Sequence, residues 1–196
     1  MKSFQASILA TLASAASVFA QCAQGSDTLP GTFAIFTFSA TGVISGPLNL
    51  VEILTVPETS FHVLSTAPAT IDWQGFTMSG GGIEAVPPAH TAAVGSLGAV
   101  SVNAADPVPT PGPFPTWANS FVAASLWCAL SDADRTHTLA LNGRFDLFAL
   151  CESVFDAPAG TTQAVVFNAS ASAVLDGPGT YDGASCVPVN LLAAPQ

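Results

Sequence analysis

Basic residues are almost absent from this 196-residue sequence, which has 3 lysines and arginines against 13 aspartates and glutamates and a formal net charge of −10. So few cations cannot neutralise a phosphate backbone, which excludes nucleic-acid binding. Binding to anionic membranes also needs clusters of basic side chains. Charged residues make up only 8% of the chain and hydrophobic residues 49%, the reverse of a disordered composition. We therefore expect a folded, acidic protein with few surface charges.

The sequence also lacks the motifs of common enzyme classes, such as Gly-x-Ser-x-Gly and His-Glu-x-x-His. Ser79-Gly80-Gly81-Gly82 is interpreted as a turn, because no strand and helix frame it as a phosphate loop. No Cys-x-x-Cys pair occurs, and His62, His90 and His137 are not clustered with the cysteines, so we expect no metal and no other cofactor. The acidic segment 131–135 offers two carboxylates, too few for calcium, and is interpreted as a solvated turn. No residue is predicted to be catalytic.

Residues 1–20 have the three regions of a secretory signal peptide. Lys2 supplies the positive start, residues 8–18 form an apolar run, and Val18-Phe19-Ala20 fits a cleavage site. The apolar run is shorter than the roughly 20 residues that span a bilayer. We therefore predict a secreted protein, extracellular or in a cell wall, whose mature chain begins at Gln21 and makes no membrane contact.

Four cysteines remain after removal of that segment, namely Cys22, Cys128, Cys151 and Cys186. An even number in an oxidising compartment favours two structural disulfides, with three connectivities open. Of these we favour Cys22 with Cys128 and Cys151 with Cys186.

One N-glycosylation acceptor is present, Asn168-Ala169-Ser170. Single acceptors also arise by chance, so used and unused Asn168 are evenly balanced alternatives.

Short apolar runs punctuated by Gly, Pro, Asn and Ser dominate the chain after residue 20, at the 8- to 12-residue spacing typical of a sandwich or barrel. We predict that residues 21–196 form one all-β domain, an antiparallel β-sandwich or barrel-like sandwich stapled by two disulfides. The predicted strands are 33–39, 48–56, 60–66, 92–102, 120–128, 162–169 and 186–192. Pro188 predicts that the last of these is an edge strand or carries a bulge.

The strongest local signal is Asn142-Gly143 between two strand-like segments, 136–141 and 144–150, because this dipeptide suits a type I′ hairpin turn. That turn predicts a ladder in which Leu141 faces Arg144, Leu139 faces Asp146 and His137 faces Phe148. Arg144 and Asp146 then lie on one face and are expected to pair.

Residues 106–116 carry five prolines at alternating positions, which predicts an extended, polyproline-like segment. A surface loop within one domain is the preferred interpretation; a domain linker and a ligand for a partner groove are the alternatives.

The loop 176–183 contains the only tyrosine, Tyr181. Sugar rings stack on aromatic faces, so Tyr181 with Trp73 or Trp117 is a candidate carbohydrate contact. A place for these rings in the hydrophobic core is the preferred interpretation.

The C-terminal third resembles a known family. The segments 139–143, 145–151, 162–168 and 186–192, with a strand ending at Cys151 and a closing Cys-Val-Pro-Val-Asn-Leu-Leu, are similar to small secreted fungal cell-wall proteins of the phialide-associated (PhiA-like) type. The resemblance covers about 55 residues and implies a secreted, β-rich wall or surface protein in which Cys151 pairs with Cys186.

Composition, compartment and resemblance together predict a non-enzymatic structural protein of a cell wall or surface, with wall polysaccharide or wall proteins as partners. A secreted binding module or effector acting on a glycan or host target is the alternative. A small secreted hydrolase is the third reading, and it would need two converging carboxylates in an open cleft.

Overall fold

The computed structural model describes ten stretches of the chain: residues 25–39, 42, 44–56, 59–68, 75–86, 97–101, 114–118, 126–131, 136–155 and 160–196. The predicted signal peptide, Cys22, Trp73 and His90 lie outside these stretches.

Fourteen strands and one short 3₁₀ helix make up the secondary structure of these residues. The strands are β1 (Leu29–Ser39), β2 (Ile44–Pro47), β3 (Asn49–Val56), β4 (Thr59–Ser65), β5 (Gly75–Ser79), β6 (Gly82–Val86), β7 (Leu97–Ser101), β8 (Thr116–Ala118), β9 (Trp127–Ser131), β10 (His137–Leu141), β11 (Phe148–Val154), β12 (Thr161–Phe167), β13 (Thr180–Tyr181) and β14 (Val187–Pro195). The 3₁₀ helix is Gly183–Ser185.

All fourteen strands belong to one antiparallel sheet, in the order β13-β11-β12-β4-β8-β7-β6-β5-β1-β14-β10-β9, with β2 beside β1 and β3 beside β4. The sheet curls back on itself, because β11 pairs with β14 as well as with β12. The two halves of the sheet face each other. The ring centres of Trp117 on β8 and Trp127 on β9 lie 6.2 Å apart, although these strands are not neighbours in the sheet. The predicted all-β, antiparallel fold is confirmed, in its barrel-like form.

Alternation along the strands creates an inner and an outer core. Phe148 and Leu150 of β11 point into the curl of the sheet, where they join Phe76, Trp117 and Trp127. Because successive strand residues point to opposite faces, the alternate residues of the same strands point outward. The inner core thus contains side chains from strands on opposite sides of the curl, such as Trp117 of β8 and Trp127 of β9.

The outer core covers the other face of β4, β8, β11 and β12. Ala149 and Cys151 of β11 lie there with Phe114, Phe155 and Tyr181, all of them buried. These four strands are thus buried on both faces, whereas many antiparallel sheets have one face exposed to solvent.

Most of the predicted strands are confirmed. The ranges 33–39, 48–56, 60–66, 162–169 and 186–192 coincide within a few residues with β1, β3, β4, β12 and β14, and the described parts of 92–102 and 120–128 include β7 and the start of β9. The glycine-rich turn is also confirmed: Gly80 and Gly81 have φ of 55° and 76° and join β5 to β6.

The prediction that the last strand lies at an edge or carries a bulge is wrong, since β14 keeps its register with each of its partners. β14 is central, with β1 on one side and β10 and β11 on the other. Pro188 is tolerated because it lies near the end of the strand, where it faces Ala149, and the pairing with β1 begins only at Val189. The missing N–H of proline therefore costs no bond in the β1 ladder.

The hairpin prediction is right at the turn and wrong beyond it. Asn142 and Gly143 have φ of 51° and 74°, and Leu141 and Arg144 exchange two backbone hydrogen bonds of 3.0 Å. The ladder then stops, since β10 pairs with β9 and β14 while β11 pairs with β12. Leu139 therefore does not face Asp146, and His137 faces Ser131 and Ala193. β10 therefore pairs with β14 where the hairpin prediction placed β11.

The proline-rich segment is described only at its end. Residues 106–113 lie outside the described stretches, whereas Phe114 and Pro115 are buried and Thr116 begins β8. The prediction of a surface loop over 106–116 is therefore wrong for its last three residues, because the ring of Phe114 fills the outer core against Phe155 at 5.2 Å.

Candidate functional site

A disulfide joins the sheet to the loop that covers it. Cys151 on β11 is bonded to Cys186, which comes directly before β14, and the two are 35 residues apart in sequence. This pairing is confirmed. Cys128 is also disulfide-bonded; its predicted partner Cys22 lies outside the described residues, so that pairing stays a prediction.

The loop 168–186, here called the cover loop, connects β12 to β14 and packs over the outer core. The buried ring of Tyr181 packs edge-on against Phe114, with the two ring centres 6.1 Å apart. Its hydroxyl accepts a 2.7 Å hydrogen bond from the N–H of Ser170. The N–H of Gly183 donates to the carbonyl of Ala173 at 2.9 Å. Contacts between distant parts of the loop therefore fix its shape.

The cover loop is also bonded to the edge of β11. The N–H of Asp182 donates to the carbonyl of Glu152 at 2.8 Å, and the N–H of Glu152 donates to the hydroxyl of Ser185 at 2.8 Å. A carboxylate oxygen of Asp182 accepts from the N–H of Ala184 at 2.9 Å and caps the 3₁₀ helix. Covalent and hydrogen bonds thus act together at one end of the sheet.

A cleft of about 260 Å³ lies where the cover loop meets the turn before β11, and it is here called the disulfide cleft. Its lining consists mostly of small or apolar side chains with one carboxylate and one amide, from Asp146, Leu147, Phe148, Ala149, Asn168, Ala169, Ala171, Gly183, Cys186 and Pro188.

Asp146 is held at the rim of the disulfide cleft by Arg144. Two hydrogen bonds of 2.8 and 2.7 Å join Nε and Nη2 of Arg144 to the two carboxylate oxygens, so the predicted pair is confirmed. The hydrogen bond from Arg144 lowers the pKa of Asp146, and the same bond raises the pKa of Arg144. Both side chains are more than a third exposed, so solvent screens the pair.

Asn168 stands at the other side of the disulfide cleft. It is exposed, its φ is 56°, and its N–H donates to the carbonyl of Leu147 at 2.7 Å. The pairing of Phe148 with Phe167 in the β11–β12 ladder brings these neighbours together. The glycosylation acceptor is therefore accessible; its use stays a prediction.

The other candidate residues do not assemble into a site. Tyr181 and Trp117 are buried in the outer and inner cores respectively, so they offer no shared face to a sugar, and the preferred reading of them as core residues is confirmed. His62 is buried on β4 opposite Trp117, and His137 lies half-buried at the start of β10. Of the acidic segment 131–135, only Ser131 is described.

Among the described residues, no three His, Cys, Asp or Glu side chains gather closely enough to hold a metal ion. The described part of the chain contains no helix with the length and apolarity needed to cross a membrane.

Comparisons of the chain with protein-family models, with curated proteins and with solved structures find no match.

Sequence reasoning missed the disulfide cleft, although it singled out Asp146, Asn168 and Cys186 separately. Their meeting depends on the β11–β12 register and on the path of the cover loop. The one available signal was local: Asn168 stands next to the end of the predicted strand 162–169, and asparagine favours turns with an accessible side chain.

Proposed function

We propose that the protein is a secreted, non-enzymatic structural component of a cell wall or outer surface. The observation that carries the proposal is the disulfide-tethered cover loop, which shields the outer face of β4, β8, β11 and β12. Disulfides of this kind form and persist in oxidising, extracellular compartments. A sheet shielded on both faces and cross-linked to its cover suits a protein that persists outside the cell.

The pairing of Cys151 with Cys186 is the one that similarity to the phialide-associated wall proteins implies, and this supports the proposal. The composition supports it as well, since 13 acidic residues against 3 basic ones give a surface that repels acidic polymers. The partners proposed for it are neutral wall polysaccharide and wall proteins.

The exposed side of the cover loop is the part of the described surface best suited to such partners. Ser170, Ala171, Ser172 and Val174 are exposed there, and Val174 retains 71% of its accessible surface. Small neutral side chains of this kind bind through hydroxyl and apolar contacts rather than through charge. Attachment would then survive high salt.

Fractionation of the source cells tests the proposal. The tagged protein is followed through culture medium, washed wall and cell interior, and the wall fraction is then extracted in turn with salt, detergent, reductant and glucanase. The control is an unrelated soluble protein carrying residues 1–20 of this chain as its leader, which should appear in the medium.

Retention of the tagged protein in the salt-washed wall, with release by detergent, reductant or glucanase, is the expected result. Recovery of nearly all of it in the medium with the control would overturn the structural role and favour a secreted binding module. Recovery inside the cell with an uncleaved leader would overturn secretion.

A further inference from the structure

We infer that the disulfide cleft is the seat of the first N-acetylglucosamine of a glycan on Asn168, where it shields the disulfide beneath. The inference rests on the proposed secretion, because the glycan is added in the secretory compartment. It goes further in assigning a chemical occupant to the cleft.

The attachment residue already lies at the cleft. Asn168 is one of the lining residues, and the backbone around it is fixed by two hydrogen bonds. These are the hydrogen bond from its own N–H to Leu147 and the hydrogen bond from Ser170 N–H to Tyr181. A sugar on Asn168 is therefore attached at the edge of the cleft, on a backbone that is already held in place.

The walls match the chemistry of an N-acetyl sugar. Ala169, Ala171 and Pro188 offer small apolar surfaces for the C–H face of the ring and the acetamide methyl group. Asp146, held by Arg144, offers carboxylate oxygens to a hydroxyl or an acetamide N–H, and hydrogen bonds to an ionised acceptor are the stronger kind.

The size of the cleft suits a small occupant better than a large one. Pockets for larger ligands hold about 300–1,000 Å³, whereas this cleft holds about 260 Å³. A tethered occupant also avoids most of the entropic cost of association. One covalently attached ring is therefore a better occupant than an extended free oligosaccharide.

Attachment follows ordinary N-glycan chemistry. A bond forms between Nδ2 of Asn168 and C1 of the sugar, and the C1–O bond to a lipid-pyrophosphate oligosaccharide donor breaks. The amide nitrogen loses one proton, and the lipid pyrophosphate leaves with the bonding electron pair. Cys186 lines the same cleft, so a ring bound there lies beside the Cys186 end of the disulfide and restricts the approach of a reductant to it.

The experiment compares forms of the full chain secreted from a eukaryotic host. Endoglycosidase leaves one N-acetylglucosamine on the protein, and Ser170→Ala yields a chain without glycan that keeps Asn168. Asp146→Ala keeps the acceptor and removes the carboxylate from the wall together with its ion pair to Arg144, and Arg144→Gln, which removes the ion pair alone, is its control. Each form is exposed to dithiothreitol, trapped with an alkylating agent and digested, and reduction of the Cys151–Cys186 pair is followed by mass spectrometry.

Intact mass is expected to show a glycan on the wild-type chain. Reduction of Cys151–Cys186 is expected to be several-fold slower in the fully glycosylated and single-sugar forms than in Ser170→Ala, with much of the protection lost in Asp146→Ala. Asn168→Gln checks that the effect comes from the missing sugar, since it leaves the Ser170 hydroxyl in place.

Three results would overturn the inference. One is a secreted protein without a glycan, which leaves the proposed function to be decided by fractionation. Another is a glycosylated protein whose disulfide is reduced at the same rate in every form. Protection that is lost when the glycan is trimmed to one sugar would likewise overturn the seat, because the outer sugars would then be responsible.

Discussion

The N–H of Ser170 donates to the phenolic oxygen of Tyr181 across 2.7 Å, so the only tyrosine of the chain fastens the start of the cover loop. The ring of Tyr181 is at the same time buried against Phe114. One side chain thus contributes both packing and a hydrogen bond, and two substitutions can separate these contributions.

Tyr181→Phe should lower the free energy of unfolding by about 1 kcal/mol, because only the hydrogen bond is lost. Tyr181→Ala should cost about 3–5 kcal/mol, as for other buried aromatics, because the ring is lost as well. Urea unfolding measures both, and Ser172→Ala, whose hydroxyl is bonded to the Ser170 hydroxyl at 2.9 Å, gives the cost of losing an exposed hydrogen bond nearby. Equal losses in the two Tyr181 variants would show that packing contributes nothing.

Removal of the Cys151–Cys186 disulfide by the double variant Cys151→Ala/Cys186→Ala should cost about 2–4 kcal/mol of stability, because the unfolded chain gains the freedom of a 35-residue loop. The double variant leaves Cys128 untouched, which reduction would not. The shift of the urea midpoint measures the loss. A midpoint equal to that of the wild type would contradict the role given to the disulfide.

Gly183→Ala should destabilise the cover loop by about 1–3 kcal/mol, the usual cost of overpacking. A Cβ at this position would overlap the carbonyl oxygen of Ser170, a backbone atom that can shift only if the loop itself moves. Gly177→Ala is the matched control, since nothing lies within 4 Å of its Cβ position. Thermal unfolding compares the two, and similar midpoints would refute the predicted clash.

Acid should weaken the contribution of the Arg144–Asp146 pair to stability. Because the pKa of Asp146 is lowered in the folded protein, the contribution is present above the unfolded pKa of about 3.9 and is lost as pH falls through the folded value. Asp146→Asn and Arg144→Gln should each remove the same small, salt-sensitive part of the stability–pH profile below about pH 4. Profiles that coincide with the wild type would show that the pair contributes nothing measurable.

Local signals in the sequence predicted local structure well. The Asn142-Gly143 turn and the Arg144–Asp146 pair depend only on residues within a few positions of one another, and both are present. The positions of strands could also be predicted, because apolar residues alternate with the two-residue period of a strand.

The pairing of strands distant in sequence could not be predicted from the sequence. The ladder expected between β10 and β11 gave way to pairing with β14, whose alternation of Val189, Leu191 and Ala193 suits a central strand as well as an edge strand. The disulfide cleft was missed for the same reason, since Asp146 and Asn168 meet only through the pairing of Phe148 with Phe167. The order of strands in a sheet depends on which apolar faces pack against each other, and the pattern of a single sequence does not specify those contacts.

The central position of β14 also sets the timing of folding. Residues 187–195 pair with β1, β10 and β11, so the sheet cannot close while this segment is still being synthesised. Such long-range antiparallel pairings slow folding to milliseconds or longer, roughly in the range of all-β domains. The two ends of the sheet therefore stay unjoined until β14 has been synthesised and has paired with them.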